Sequence, residues 1–159
     1  MNLRAVLAAT GVVIATGFAG YTGIASGQQA PVAAVAAPTS TSQIKTVYHF
    51  TNGLEEASRG LGNIRNHLAA DPNAKITVVT NGSGIEFLLD GARDKNGNPY
   101  EIIVQDLKAK NVDFRVCNNT LVSRNIDKSK VIQEATIVPS GVAEAAKLQA
   151  REGYVYLRP

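Results

Sequence analysis

From residue 45 onward, short apolar runs alternate with longer segments of helical periodicity. The runs are rich in β-branched and aromatic residues, which favour strands. Lys75–Thr80 is almost continuously apolar, as expected for a strand that is covered on both faces. Between Leu54 and Leu68, apolar residues recur every three or four positions, which indicates a helix with one buried face. The pattern therefore predicts alternating strands and helices.

Strands joined by helices need crossover connections, and these connections produce parallel strand pairs. The predicted strands are Lys45–Phe50, Lys75–Thr80, Val112–Cys117, Thr136–Val138 and Tyr154–Leu157. The predicted helices are Leu54–Leu68, Ile85–Leu89, Tyr100–Lys110, Leu121–Arg124, Lys128–Gln133 and Gly141–Arg151. The sequence thus predicts a flavodoxin-like α/β three-layer sandwich, with a mainly parallel five-stranded sheet and helices on both faces.

The first part of the chain has a different pattern. Residues 1–27 combine a charged start at Arg4, an uncharged apolar run and a stretch of small residues, which is the order of an export signal peptide. The run from Ala5 to Ala25 is also long enough to cross a bilayer, so an uncleaved membrane anchor is the alternative. In both cases we expect the rest of the chain to be exported, either periplasmic or anchored at the inner membrane and facing the periplasm.

Residues 28–43 are rich in Ala, Pro, Ser and Thr and have no periodicity, which predicts a disordered linker. The predicted domain spans residues 44–159, the size of one ordinary domain. Of the 16 Lys and Arg residues only Arg4 precedes Lys45, so the domain carries 15 basic and 13 acidic residues and is nearly neutral. Scattered charge, few aromatics and no Trp argue against a nucleic-acid partner.

Polar, glycine-rich segments follow the predicted strands at their carboxyl ends, which is the edge where open parallel sheets bind ligands. These segments are Thr51–Gly53, Asn81–Gly84, Cys117–Thr120 and Pro139–Gly141. Each offers backbone N–H groups that can hold an anion or stabilise a thiolate. The alternative is that they are ordinary turns and helix caps, where Asn, Gly and Ser are favoured. Asn81–Gly84 lacks the spacing of a nucleotide-binding loop, and one Cys with two His makes no strong metal motif, so we expect no cofactor and no metal.

Cys117 is the candidate reactive residue. The Arg115 cation, two residues away on the same face of the strand, would favour its thiolate. The residues that follow, which are Asn118, Asn119 and Thr120, would further stabilise the Cys117 thiolate. The alternative is an inert packed cysteine, which is common in protein cores. A free thiol without a function is, however, readily lost to oxidation in an exported protein.

His49 lies near the end of the first predicted strand, which we expect at an edge of the sheet. There it could face Cys117 as a base or an orienting group. The alternative is a core-edge histidine that is hydrogen-bonded to the backbone.

Several segments of the chain resemble the DsrE/DsrF-like family. They are Val47–Phe50, Leu61–Asn66, Val112–Leu121, Ile137–Glu144, Lys147–Gln149 and Glu152–Pro159. The resemblance covers the whole predicted domain. It implies a compact α/β subunit, commonly assembled into homo-oligomers (trimers or hexamers), in which a cysteine after the third or fourth strand carries sulfur as a persulfide to a partner. Cys117 matches that position.

The sequence therefore leaves three alternative functions. The first is an exported sulfur-handling protein, sulfurtransferase-like if catalytic, in which Cys117 takes sulfane sulfur from a donor and passes it to an acceptor, each being a protein or a small sulfur compound. The second is a non-catalytic oligomeric binding or assembly module with an inert cysteine. The third is a thiol redox sensor that forms a disulfide between two copies of Cys117.

Overall fold

The computed structural model describes residues 42–159. The predicted export signal, residues 1–27, and residues 28–41 of the predicted linker lie outside the described residues. Within the described range no helix has the length and apolar character needed to cross a membrane.

Strands and helices alternate along residues 42–159. The strands are β1 (Lys45–Phe50), β2 (Lys75–Thr80), β3 (Asp113–Cys117), β4 (Ala135–Val138) and β5 (Val155–Leu157). The α-helices are α1 (Leu54–Ala70), α2 (Tyr100–Ala109), α3 (Asn118–Ser123) and α4 (Gly141–Glu152). Two 3₁₀ helices, Gly82–Leu88 and Lys128–Lys130, complete the described elements.

The five strands form one sheet in the order β4-β3-β2-β1-β5, and every neighbouring pair is parallel. This confirms the predicted α/β fold. The expectation that the first strand lies at an edge is wrong, because β5 pairs with the outer side of β1. His49 therefore belongs to an inner strand.

The two faces of the sheet bury different clusters. The larger cluster includes Phe50 and Phe114 and packs under α1, α2 and the first 3₁₀ helix. The smaller cluster joins Val47 and Val79 to Leu148 of α4. Helices thus cover both faces, as predicted, and α4 lies on the face that carries the odd-numbered side chains of β3.

Two predicted helices differ from the sequence pattern for local reasons. The predicted helix Ile85–Leu89 is a 3₁₀ helix that begins at Gly82, which has a φ of 56°. The predicted helix Lys128–Gln133 is a single 3₁₀ turn, because the N–H of Ile132 donates to the carbonyl of Leu88 and draws the chain into an extended path. Helix α3 also starts earlier than predicted, directly after Cys117.

Candidate functional site

The candidate site lies at the carboxyl end of the sheet, where β3 meets the first residues of α4. Cys117 is the last residue of β3, pairs with Val138 of β4, and is 4% exposed. By strand alternation its side chain lies on the face covered by α4. The cysteine is thus enclosed by one sheet edge and by the N-terminal residues of α3 and α4.

Four hydrogen-bond donors converge on the thiol. Burial alone raises the pKa of Cys117, but donation from the Gly141 N–H and from the Thr120 hydroxyl lowers it, as do the N–H groups of Thr120 and Asn119. The net result is a pKa below the ordinary value of 9.0. Hydrogen bonds to the charged form favour that form, so the site stabilises a thiolate.

Thr120 is held in place by the loop after β2. The Gly82 N–H donates to Thr120 Oγ1 across 3.0 Å, and Thr120 is 8% exposed. Because Oγ1 accepts this bond, the hydroxyl hydrogen is available to the sulfur. Arg124 Nη1 donates to the Gly82 carbonyl across 3.3 Å and fixes the same loop. The orientation of the Thr120 hydroxyl is therefore set by residues distant in sequence.

Gly141 brings α4 close enough for its first N–H to reach the sulfur. A Cβ at this position would lie 2.8 Å from the Thr80 carbonyl oxygen and 3.2 Å from Cys117 Cβ. Any larger residue would therefore push the helix away. Ser140 caps α4 by accepting the Ala143 N–H across 3.3 Å, so this donor is satisfied locally while the Gly141 N–H serves the thiol.

Arg115 has partners other than the thiol. Its Nε donates to Asp113 Oδ2 across 2.8 Å, and its Nη1 donates to Glu144 of α4. Burial alone lowers the pKa of Arg115, but the two carboxylates raise it above the ordinary value, so the guanidinium stays charged. Its charge is balanced by these two carboxylates, and its ion pair with Glu144 connects β3 to α4.

The three residues after Cys117 differ in how they meet the site. Thr120 contributes both its N–H and its hydroxyl, whereas Asn119 contributes its backbone N–H, which also donates to the Pro139 carbonyl across 3.3 Å. The Asn118 Oδ1 atom is buried and has no hydrogen-bond partner among the described residues. Of these three residues, Asn119 and Thr120 thus donate to the sulfur, mainly through the backbone.

His49 shares the sheet face of Cys117, but β2 lies between their strands. Its Nε2 donates to Asn81 Oδ1 across 2.7 Å, and its Nδ1 accepts from the Tyr156 hydroxyl across 3.1 Å. Both ring nitrogens therefore bond to side chains, and His49 is 8% exposed. Neither ring nitrogen of His49 is bonded to Cys117.

Sequence reasoning did not single out Gly82, Asn81, Gly141 or Tyr156 as site residues. Three of them lie in the polar segments that follow the strands, so the pattern located the region but not the individual donors. Tyr156 lies in none of these polar segments, because it belongs to β5, the last strand of the chain, which pairs with β1. Within residues 42–159, no three His, Cys, Asp or Glu side chains cluster as a metal site would require.

This fold and site define a small parallel α/β protein whose cysteine, at the carboxyl end of the sheet, has a pKa below its ordinary value. The chain belongs to the DsrE/DsrF-like family, whose family model matches residues 31–159. Among the curated proteins, none matches this chain.

Two solved structures are similar to it. The protein of unknown function MTH1491 from Methanobacterium thermoautotrophicum has 29% sequence identity and a TM-score of 0.65, and the match covers 74% of this chain and 100% of that protein. The ychN protein from E. coli has 15% identity and a TM-score of 0.57, with 72% of this chain and 99% of that protein covered. At the lower identity the similarity shows the fold alone.

Proposed function

We propose that this protein carries sulfane sulfur as a persulfide on Cys117 and passes it to an acceptor. Membership of the DsrE/DsrF-like family suggests a function of the sulfur-relay type. The observation that carries the proposal is the convergence of four donors on the Cys117 sulfur, which lowers the pKa of the thiol in spite of burial. An inert packed cysteine has no need of such donors.

The transfer needs no external oxidant or reductant. The Cys117 thiolate attacks the outer sulfur of a donor such as thiosulfate, whose S–S bond breaks, and sulfite leaves with the electron pair. A new S–S bond now joins the transferred sulfur to Cys117. An acceptor thiolate then attacks the outer sulfur, and Cys117 leaves as a thiolate, which the same four donors stabilise.

The enclosure of the sulfur favours small reactants. Cys117 is 4% exposed, while Asn119 and Pro139 beside it are exposed. A bulky protein surface cannot reach such an atom without local opening. We therefore propose small sulfur anions, or a thiol at the end of an extended segment, as donor and acceptor.

The export of the protein and its assembly into a homo-oligomer are further parts of the proposal. Several large apolar side chains are exposed on the described chain, and they are Ile102, Val122, Val142, Val155 and Leu157. Where such side chains lie together on one surface, they can form an interface between subunits. Light scattering of the purified protein tests assembly, and fractionation of cells that express the full chain tests export.

Mass spectrometry after incubation with thiosulfate or inorganic polysulfide tests the sulfur-carrying step. We expect Cys117 to gain the mass of one sulfur atom, reversibly under a reducing thiol, and Cys117→Ser to gain none. An unchanged Cys117 in the intact protein would contradict the proposal.

The second candidate, a binding or assembly module with an inert cysteine, is favoured by the low exposure of Cys117. Alkylation separates the two, because a thiol with a lowered pKa is modified by iodoacetamide well below its ordinary titration range, whereas a merely packed thiol is not. Non-reducing electrophoresis after mild oxidation tests the redox sensor, which requires a disulfide-linked dimer.

A further inference from the structure

Asn81, His49 and Tyr156 form a hydrogen-bonded chain of side chains beside the thiol. Asn81 precedes the first 3₁₀ helix at the position of an N-cap, yet its side chain makes no capping bond. Its Oδ1 accepts from His49 instead, across 2.7 Å. The Asn81 side chain is therefore held by a tertiary contact and is not used by the local backbone.

Tyr156 fixes the histidine and, through it, the amide. The Tyr156 hydroxyl bonds to His49 Nδ1, and the two rings meet edge to face with their centroids 5.7 Å apart. Because Asn81 Oδ1 only accepts, His49 carries its hydrogen on Nε2. The amide oxygen of Asn81 thus faces His49, and its NH2 group faces away from it.

Asn81 stands between His49 and Cys117. It continues β2 in extended conformation, with β1 on one side and β3 on the other. A Cβ built on Gly141 would lie 3.3 Å from Asn81 Cβ and 3.2 Å from Cys117 Cβ, so these two side chains leave the backbone as neighbours. Asn81 is half-buried, and its NH2 group donates to no other group within residues 42–159.

The donors around Cys117 suit the thiolate but not the product of sulfur transfer. In a persulfide the negative charge lies on the outer sulfur, one bond beyond the atom that Gly141, Thr120 and Asn119 contact. That outer atom needs a donor of its own, since charged acceptors gain most from hydrogen bonds.

We infer that Asn81 donates from its NH2 group to the outer sulfur of the Cys117 persulfide, and that His49 and Tyr156 are positioning residues that orient the amide for this bond. The inference rests on the proposed function. It makes Asn81 a determinant of how firmly the protein holds sulfur, separate from the donors that set the pKa of the free thiol.

The test compares two properties of each variant. In buffers of fixed thiosulfate and graded sulfite, mass spectrometry gives the equilibrium ratio of Cys117 persulfide to thiol, and the pH profile of iodoacetamide alkylation gives the pKa of the unloaded thiol. For Asn81→Ala we expect the ratio to fall about ten-fold, as for the loss of one hydrogen bond to a charged group. The thiol pKa should not change, because Asn81 donates nothing to the thiolate.

Two further substitutions extend the test. Asn81→Leu has about the same size but no NH2 group and no charge, so it should lower the ratio about as much as Asn81→Ala with an unchanged thiol pKa, and it keeps the test decisive if the alanine variant unfolds. His49→Leu should lower the ratio with an unchanged thiol pKa, because the amide loses its orientation. The matched control is Ser83→Ala, an exposed side chain of the same turn, which should leave both properties unchanged.

Each outcome has a distinct meaning. If the parent loads sulfur and both Asn81 variants load it equally well, the inference is overturned and the proposed function stands. If Asn81→Ala shifts the thiol pKa together with the ratio, Asn81 is merely structural and the inference is overturned. If the parent takes up no sulfur, the proposed function fails and the inference fails with it.

Discussion

Replacing Gly141 with alanine should raise the pKa of the Cys117 thiol while leaving the rest of the sheet intact. The added Cβ would lie 2.8 Å from the Thr80 carbonyl oxygen, a backbone atom of the central sheet that cannot give way easily. The N-terminus of α4 must move instead, and the Gly141 N–H then loses its bond to the sulfur.

The magnitude follows from that bond. A hydrogen bond to a charged group contributes about 1.5–3 kcal/mol. The loss of this bond should therefore destabilise the thiolate by about that free energy and raise the pKa of Cys117. Overpacking at Gly141 should also lower the free energy of unfolding by about 1–3 kcal/mol.

Iodoacetamide alkylation as a function of pH measures the thiol pKa, and urea unfolding measures stability. The matched control is Gly62→Ala in α1, where an added Cβ meets nothing within 4 Å. This control should gain about 1 kcal/mol from helix propensity and should leave the thiol pKa unchanged. If Gly141→Ala alkylates with the parent's pH profile, the view that α4 stabilises the thiolate through its first N–H is refuted.

Three further predictions concern the same described residues. Thr120→Val removes one donor to the sulfur and should raise the pKa of Cys117, whereas Thr120→Ser should preserve it; alkylation profiles of the two variants check this. Glu56 is 3% exposed and accepts two backbone N–H groups after β1, so Glu56→Ala should lower the unfolding free energy by about 1–3 kcal/mol. The control Glu55→Ala, at an exposed position, should change it little in the same urea titration. The folded pKa of Cys117 lies below its unfolded value, so the thiolate should stabilise the fold. The unfolding free energy of the parent, relative to that of Cys117→Ser, should therefore rise with pH up to about the ordinary thiol value of 9.0 and then level off, and this extra stability should be lost as the pH falls through the folded pKa. Urea titrations of both proteins across that pH range measure this difference.

The hydrophobic pattern was sufficient for the fold because each strand and long helix carries its own local signal. Lys75–Thr80 is almost continuously apolar and is the central strand, and the three-and-four spacing from Leu54 predicted α1. The pattern was less informative where a tertiary hydrogen bond decides the backbone. The Ile132 N–H donates to Leu88, and this bond replaces the predicted helix by a single 3₁₀ turn.

The site was predicted in part. Cys117 ends β3 at the edge where parallel sheets bind ligands, and this position was predicted from the alternation of strands and helices in the sequence. Arg115 was expected to act on the thiol because it is near in sequence, but its guanidinium binds Asp113 and Glu144. The second of these partners belongs to α4, and the packing of that helix on β3 cannot be known from the spacing of residues along one strand.

By itself, the sequence determined which segments are strands and helices, that the sheet is parallel, and that its single cysteine lies at the carboxyl edge, because side-chain periodicity and turn residues act over a few neighbouring positions. Only the tertiary structure decided the order of the strands, the donors that Gly141 and Thr120 present to the sulfur, and the link from Tyr156 through His49 to Asn81. Apart from the contact of Thr120 with Cys117, these contacts join residues far apart in the chain, and they depend on the packing of α4 against the sheet and on the pairing of β5 with β1. The chemistry of the thiol is therefore set by packing.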